Sequence, residues 1–215
     1  MPLPLTLLAP PVVEPISLSE AKLHLRVDIA TDDTLITGLI SAARDYAERF
    51  TGRQFLTATW ALALDAWPCS GWDARQTGLW LPKPPLQTLT GTYTDLLGAT
   101  QPLGITYIDS DGTTQTLATT VYGVDTRSEP GRIYLKSGQS WPSVYAQPNA
   151  VQVVYKAGWP TAPQFYLRHA SLRSAMLLLV AHLYEQREAS VEKALSEIPL
   201  GVESLLWMNR LLEVA

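Results

Sequence analysis

The sequence predicts an α+β fold in which helices from the two ends of the chain form one core and a β-rich insertion lies between them. Apolar residues recur at helical spacing in residues 17–50 and again in residues 164–212. The middle of the chain instead alternates apolar and polar residues, which is typical of strands. The predicted organisation is an extended arm at residues 1–16, a helical core from residues 17–56 plus 160–215, and a β-rich insertion at residues 57–159.

The first helical segment begins with a capping box formed by Ser17 and Glu20, which satisfy each other's backbone donors. A short helix to about Arg26 follows, and a second helix runs from about residue 32 to Gly52. One broad stripe of this second helix is apolar and predicts a packed face; it comprises Leu35, Ile36, Leu39, Ile40, Ala43, Tyr46, Ala47 and Phe50. The opposite face carries two i,i+4 charge pairs, Arg44 with Glu48 and Asp45 with Arg49.

The pattern changes to alternation at Thr57, and the first strand places Trp60, Leu62 and Leu64 on one side. Further strands are predicted at residues 78–81, 86–93, 105–108, 114–117, 132–135 and 151–155. Asp111-Gly112 predicts a hairpin turn between two of them.

Helical spacing returns at about residue 163 and predicts one long helix to about residue 188. Its apolar side comprises Leu167, Ala170, Ser174, Leu177, Leu178, Ala181 and Tyr184. Met176, Leu179 and Val180 widen the stripe until the helix is apolar almost all round, so it must be covered on most sides, by its own fold or by a neighbouring subunit. A polar stretch at residues 189–197 then precedes a last amphipathic helix. We expect residues 202–215 to be an attachment element on a flexible tether, separate from the core.

Composition excludes several classes of function. The chain has 215 residues, a net charge of -4 and sixteen Lys and Arg residues that form no run, which argues against a dedicated nucleic-acid-binding protein. Cys69 is the only cysteine, so neither an intrachain disulfide nor a cysteine zinc site is expected. Prolines at positions 2, 4, 10 and 11 argue against a signal peptide. The most apolar helical stretch, residues 175–183, is too short to cross a membrane, so we expect a soluble protein without a membrane partner.

No group of residues forms a catalytic or metal-binding motif. Asp109-Ser110-Asp111-Gly112 resembles the start of a calcium loop but lacks the remaining ligands, which favours a plain hairpin. His182 and Glu185 lie three residues apart on a helix, without a second ligand pair. Gly138-Gln139-Ser140 resembles half of a nucleophile elbow, but Trp141-Pro142 follows it. The sequence therefore predicts no enzyme, no metal and no cofactor.

The seven tryptophans are a more unusual feature. Those in or beside strands are expected in the core: Trp60, Trp80 and Trp159. Trp67 and Trp72, in a turn-rich stretch, and Trp207, in the last helix, are candidate interface anchors. Burial in the core remains the alternative for each of them.

Several phrases, in order along nearly the whole chain, resemble head-tail connector, or adaptor, proteins of tailed bacteriophages, prophages and gene-transfer particles. They are EPISLSEAKLHLRV at 14–27, DDTLI at 32–36, AARDYAERFTGR at 42–53, LPKPPL at 81–86, SWP at 140–142, VQVVYKAG at 151–158 and IPLGVESLL at 198–206. One departure is visible, because residues 91–104 are longer than the family pattern.

The resemblance implies a structural virion protein whose copies form a ring, usually of twelve, beneath the portal of a filled capsid. Such a ring extends the DNA channel without binding DNA specifically, and it gives the stopper or tail-completion protein a docking platform. The implied location is the virion neck, with the host cytoplasm during assembly. The portal-binding candidates are Leu200, Val202, Leu205, Leu206 and Trp207, and the subunit-interface candidates are Trp67, Trp72, Met176, Leu179 and Val180.

Two other functions remain open at this point. A DNA-packaging or DNA-binding accessory protein of a phage would need a local basic patch, for which Lys156, Arg168 and Arg173 are the candidates. A hydrolase with an unfamiliar site is the third hypothesis, although no nucleophile has a visible base.

Overall fold

The computed structural model describes residues 4–68, 78–186 and 199–211. It divides into two compact units, each assembled from two separate stretches of the chain. The β unit contains residues 1–11 and 57–158, and the helical unit contains residues 12–56 and 159–215. Helices from both ends and antiparallel strands from the middle confirm the predicted α+β class.

The described residues of the helical unit form five helices: α1 (Leu18–Leu25), α2 (Asp33–Thr51), α3 (Ala162–Arg168), α4 (Ala170–Glu185) and α5 (Leu200–Trp207). Half of the predicted capping box forms, because the Ser17 hydroxyl accepts the Glu20 N–H at 3.2 Å. The Glu20 carboxylate instead pairs with Arg173 of α4, at 2.7 Å. As predicted, α2 ends at Gly52, whose positive φ of 74° closes the helix at little steric cost.

The long helix predicted at residues 163–188 is two helices, which corrects the sequence interpretation. His169 leaves the helical conformation between α3 and α4. Its ring packs edge-on against Trp159, with 4.8 Å between the ring centroids, and also contacts Phe165. These aromatic contacts fix the break between the two helices.

Helix α4 is apolar almost all round because the four other described helices of the unit all pack against it. Met176, Leu179 and Val180 are 0–3% exposed and lie in the core of the unit itself. Leu178, which the spacing placed on the apolar side, is 42% exposed. Helix α4 is therefore apolar on most sides because it lies at the centre of the helical unit.

Helix α5 is part of the same core, which corrects the expectation of a separate attachment element. Val202 and Leu206 are fully buried, and α5 packs against α2 and α4. The polar stretch at residues 189–197, proposed as a flexible tether, lies outside the described residues.

The β unit contains eleven described strands: β1 (Leu5–Ala9), β2 (Ala58–Leu64), β3 (Gly78–Trp80), β4 (Leu86–Thr88), β5 (Thr92–Thr94), β6 (Thr100–Pro102), β7 (Gly104–Ile108), β8 (Thr114–Thr116), β9 (Tyr122–Asp125), β10 (Arg132–Leu135) and β11 (Val151–Ala157). The largest sheet has the order β1-β2-β11-β7-β8, with β4 also paired to β11. A three-stranded sheet has the order β3-β10-β9, and β5 pairs with β6 alone. All of these strand pairs are antiparallel.

The predicted N-terminal arm contains an edge strand of the largest sheet. β1 pairs with β2 in a register that places Leu5 opposite Leu62 and Leu7 opposite Trp60. The predicted turn at Asp111-Gly112 is present, and Gly112 has the positive φ that the turn requires. The strand predicted at residues 86–93 is split into β4 and β5.

Candidate functional site

The outer face of α5 carries the strongest candidate interaction surface. Because a helix repeats every 3.6 residues, Leu200, Ser204 and Trp207 share one face while Val202 and Leu206 point into the core. Leu200 is 79% exposed, Trp207 is 51% exposed, and Met208, just after the helix, is 70% exposed. Exposed Trp and Met side chains are enriched in protein interfaces.

The Trp207 ring is held in place by its neighbours. Phe50 of α2 meets it edge-on, with 5.7 Å between the ring centroids. The Arg210 guanidinium lies over both rings, 4.6 Å from the centroid of Trp207 and 5.8 Å from that of Phe50. Such cation–π and aromatic contacts favour one orientation of the tryptophan before a partner arrives.

The chain after α5 is tied to the end of α2. The Leu211 N–H donates to the Thr51 carbonyl at 3.0 Å, and Arg53 Nε donates to the Asn209 carbonyl at 2.9 Å. The Asn209 amide also donates to Ser171 Oγ at 2.8 Å. We call the surface formed by Leu200, Trp207, Met208 and Arg210 the α5 patch. It is a fixed feature of the helical unit.

Of the five residues proposed to bind the portal, two are exposed and three are partly or fully buried. Leu200 and Trp207 lie on the surface, Leu205 is partly buried, and Val202 and Leu206 have no exposed area. Met208 and Arg210 were not predicted, although their positions beside Trp207 in the sequence were a usable signal. The surface that α5 offers is therefore formed by one face of the helix and the residues that follow it.

The residues proposed to form subunit contacts are core residues wherever they are described. Met176, Leu179 and Val180 have almost no surface to offer a neighbour. Trp67 is buried in the β unit, where it stacks on Trp141 with 4.5 Å between centroids and donates from Nε1 to the Pro142 carbonyl at 2.8 Å. Trp72 lies outside the described residues.

A buried ionic network lies in the C-terminal half of α2. It includes the Arg44–Glu48 pair, which the sequence analysis placed on the exposed face of the helix. Glu48 is 6% exposed, and its carboxylate accepts from Arg44 Nη1 at 3.0 Å, Gln54 Nε2 at 2.7 Å and the Phe55 N–H at 2.8 Å. Arg44 Nε donates to Glu14 at 2.7 Å. Burial disfavours the charge of Arg44, but Glu14 and Glu48 raise its pKa above the usual value. The network joins the segment before α1, α2 and the segment after α2.

Replacing Glu48 by alanine is expected to lower the free energy of unfolding by about 2–4 kcal/mol, because two buried donors, Gln54 and the Phe55 N–H, and the partly buried Arg44 lose their acceptor. Urea unfolding followed by circular dichroism measures the loss. Asp45→Ala is the matched control, because the Asp45–Arg49 pair on the same helix is exposed and contributes less than about 1 kcal/mol. Equal losses in the two variants would contradict a stabilising role for the buried network.

The carboxylate of Asp109 stabilises the predicted turn at residues 109–112 by accepting hydrogen bonds within the hairpin. Asp109 accepts from the backbone N–H groups of Thr113 at 2.9 Å and Asp111 at 3.0 Å and from Gln115 Nε2 at 2.9 Å. The Thr113 N–H, followed by the Gln115 amide, lowers the pKa of Asp109. The plain-hairpin interpretation is confirmed by this pattern together with the pairing of β7 and β8.

In the part of the chain that the structure describes, no three His, Cys, Asp or Glu residues are grouped closely enough to hold a metal ion. Within the same residues, no helix combines the length and the apolar character that a membrane span needs.

Residues 15–77 match the model of the phage gp6-like head-tail connector protein family. The matched segment includes α1, α2 and β2. The resemblance drawn from the sequence is confirmed over this segment. No curated protein matches the chain significantly in sequence.

Solved structures match the fold over almost the whole chain. A chain in the neck of an empty GTA particle, computed with C6 symmetry, has a TM-score of 0.72 and 20% identity, with 98% of this chain and 97% of that chain covered. A chain in the virion of a native gene transfer agent particle has the same score and identity, with 99% and 98% covered. A chain in the neck of a native GTA particle, computed with C12 symmetry, has a TM-score of 0.69 and 20% identity, with 100% and 98% covered. At this identity the likeness concerns the fold.

Proposed function

We propose that the protein is a structural head-tail connector in the neck of a tailed phage or a related gene-transfer particle. The observation that carries this proposal is the end-to-end match of both units to chains from virion necks and virions. The head-tail connector match at residues 15–77 supports it independently of the fold. A protein of this kind acts through its surfaces, which agrees with the rigid α5 patch as the leading candidate site.

The proposed assembly is a ring of twelve copies, located between the capsid and the tail. Support comes from the C12 and C6 symmetries with which the similar neck structures were computed. Ring closure requires each copy to present two different surfaces, one to each neighbour. In this proposal the ring lies beneath the portal and carries the stopper or tail-completion protein on its other side.

The α5 patch is the proposed contact with the portal. Its exposed members are a tryptophan, a methionine, a leucine and an arginine. Tryptophan and arginine are enriched among interface hot spots, and methionine is enriched in interfaces generally. Val202 and Leu206 support the patch from below by holding α5 on the core. Their role is therefore positioning, while Leu200 and Trp207 make the contact.

DNA passes through the proposed ring without specific binding. Of the three cations considered for a basic patch, Lys156 donates to the Thr92 carbonyl at 2.8 Å, and Arg173 pairs with Glu20 and lies over the Tyr166 ring. These contacts engage two of the three cations within the fold, while Arg168, in the last turn of α3, is exposed. One exposed arginine on a chain with a net charge of -4 is less than the cluster of cations that phosphate binding needs.

The connector proposal predicts that particles made without this protein are filled heads that lack tails. Electron microscopy of particles from a deletion strain, complemented by the wild-type chain or a variant, tests it. Trp207→Ser is expected to fold normally, because the Trp207 ring is half exposed. It is expected not to restore tails, because the proposed portal contact loses its tryptophan. Leu23→Ser on α1, at 81% exposure, is the control and is expected to restore them. Normal tails in the deletion strain would overturn the proposal, and normal tails with Trp207→Ser would move the portal contact elsewhere.

A further inference from the structure

Residues 91–104 contain a self-contained hairpin. Among the described strands, β5 and β6 pair only with each other, with Tyr93 opposite Gln101. The Leu103 N–H donates to the Gly91 carbonyl at 2.9 Å and closes the base of the hairpin. Lys156 Nζ donates to the Thr92 carbonyl at 2.8 Å and links the hairpin to β11.

The tip of this hairpin is held in one conformation by Asp95. The Asp95 carboxylate accepts the N–H groups of Leu97 at 3.0 Å and Ala99 at 2.9 Å. The Gly98 N–H donates to the Asp95 carbonyl at 3.0 Å, and Gly98 has a φ of 84°. Hydrogen bonds from Ala99 and then Leu97 lower the pKa of Asp95, so the carboxylate stays ionised and keeps these bonds at neutral pH.

Two adjacent leucines occupy the exposed end of this turn. Leu96 is 75% exposed and Leu97 is 94% exposed. The turn depends on Asp95 and Gly98, whereas a polar residue would serve equally well at the two positions between them. The turn itself therefore gives no reason for apolar side chains at the tip, where contact with another chain would remove them from water.

The size of the tip indicates the kind of partner. Two leucine side chains bury about 200–250 Å² of apolar surface. A stable interface buries about 800 Å² on each partner, so the tip is too small to capture a free protein from solution. A contact of this size becomes effective where other contacts already hold the partner alongside, as between neighbouring copies in a ring.

The three-stranded sheet of the same β unit exposes two aromatic side chains that can contact such a tip. Trp80 and Tyr134 are each 40% exposed on the three-stranded sheet, and the Arg132 guanidinium lies 5.2 Å from the Trp80 ring centroid. A Cβ atom at Gly123 would lie 2.5 Å from the Tyr134 ring, so the missing side chain is what lets this ring lie against the strand. Beside Tyr134 is an open hollow of about 280 Å³, lined by Val124, Asp125, Thr126, Arg127, Arg132 and Tyr134.

We infer that the Leu96–Leu97 tip of one copy contacts the Trp80–Tyr134 face of the next copy in the ring. Because every copy carries both the tip and the face, the contact is heterologous and repeats around a closed ring. This inference rests on the proposed function, since it requires copies that are already held side by side.

Photo-cross-linking in assembled particles tests the contact directly. Leu97 is replaced by p-benzoylphenylalanine in the chain supplied to the deletion strain, and purified particles are irradiated. The expected result is a ladder of multimers of this chain, with the cross-link mapped by mass spectrometry to residues 78–80 or 122–135. Cross-linking to a different virion protein, or no cross-linked multimer in particles that contain the chain, would overturn the inference and leave the connector proposal standing. Absence of the chain from particles would overturn both.

A serine double variant tests whether the leucines stabilise the ring. Leu96→Ser with Leu97→Ser keeps Asp95 and Gly98, so the isolated chain is expected to keep its melting temperature. Necks built from it are expected to dissociate at a lower urea concentration than wild-type necks. The matched control is Val12→Ser with Val13→Ser, another adjacent apolar pair at 98% and 58% exposure, which is expected to leave neck stability unchanged. Equal neck stability in the wild type and the leucine variant would overturn the inference.

Discussion

Replacing Val180 by aspartate is expected to unfold the helical unit, whereas Leu178→Asp, two residues earlier on α4, is expected to leave it folded. Val180 has no exposed area and lies in the core to which all five described helices contribute, while Leu178 is 42% exposed. A carboxylate without a partner in that core costs several kcal/mol, against a total stability of about 5–15 kcal/mol. An exposed carboxylate at position 178 remains hydrated and costs less than about 1 kcal/mol.

Thermal melts followed by circular dichroism at 222 nm separate the two outcomes, because the helical signal reports mainly on this unit. The Leu178 variant controls for the added charge and for the lower helix propensity of aspartate. Loss of the transition in both variants would place the outer face of α4 in a buried contact. Retention of the wild-type melting temperature by Val180→Asp would contradict the core itself.

Removing α5 is expected to have the second large effect, namely loss of cooperative unfolding in the helical unit. A chain ended after Glu197 lacks Val202 and Leu206, both fully buried, and uncovers the part of α4 on which they pack. Each large buried residue lost typically costs about 2–5 kcal/mol, so the pair removes much of the stability of the unit. The measurement is a urea titration of the truncated chain beside the full-length chain.

Single substitutions within α5 distinguish loss of packing from loss of chain length. Val202→Asp is expected to reproduce the effect of truncation, and Leu200→Asp, at 79% exposure, is expected to melt like the wild type. A truncated chain with an unchanged midpoint would return α5 to the role of a separate attachment element. That outcome would also mean that the α5 patch is not held on the core of the helical unit.

The parts of the fold that the sequence predicted are those with strong local patterns. The stripe of α2, its end at Gly52 and the hairpin at Asp111-Gly112 follow from periodicity and turn chemistry, and all three are present. The break at His169 was missed because aromatic packing from Trp159 and Phe165, which lies outside any local pattern, fixes it. β1 was missed because a short apolar run between prolines becomes a strand only through its pairing with β2.

The sequence also predicted the candidate site only in part, because it could not show which face of the last helix the rest of the chain covers. The sequence identified an amphipathic last helix and proposed five contact residues on it, of which the structure leaves only Leu200 and Trp207 exposed. It did not show that the opposite face of α5 is covered by the chain's own α2 and α4, because amphipathicity does not say what covers an apolar face. Glu48 was assigned to the solvent side for a similar reason, since its partners Gln54 and Phe55 lie beyond the end of α2.

The interleaving of the two units sets the order in which they can fold as the ribosome makes the chain. α1 and α2 are synthesised early, but α4, which covers them, follows only after residues 57–158 have been made. At about 5–20 residues per second, roughly 100 residues take about 5–20 seconds, far longer than a helix needs to form. β1 likewise emerges before β2, its partner in the sheet. For that interval the nascent chain carries uncovered apolar surface, which is the kind of surface that chaperones protect from aggregation.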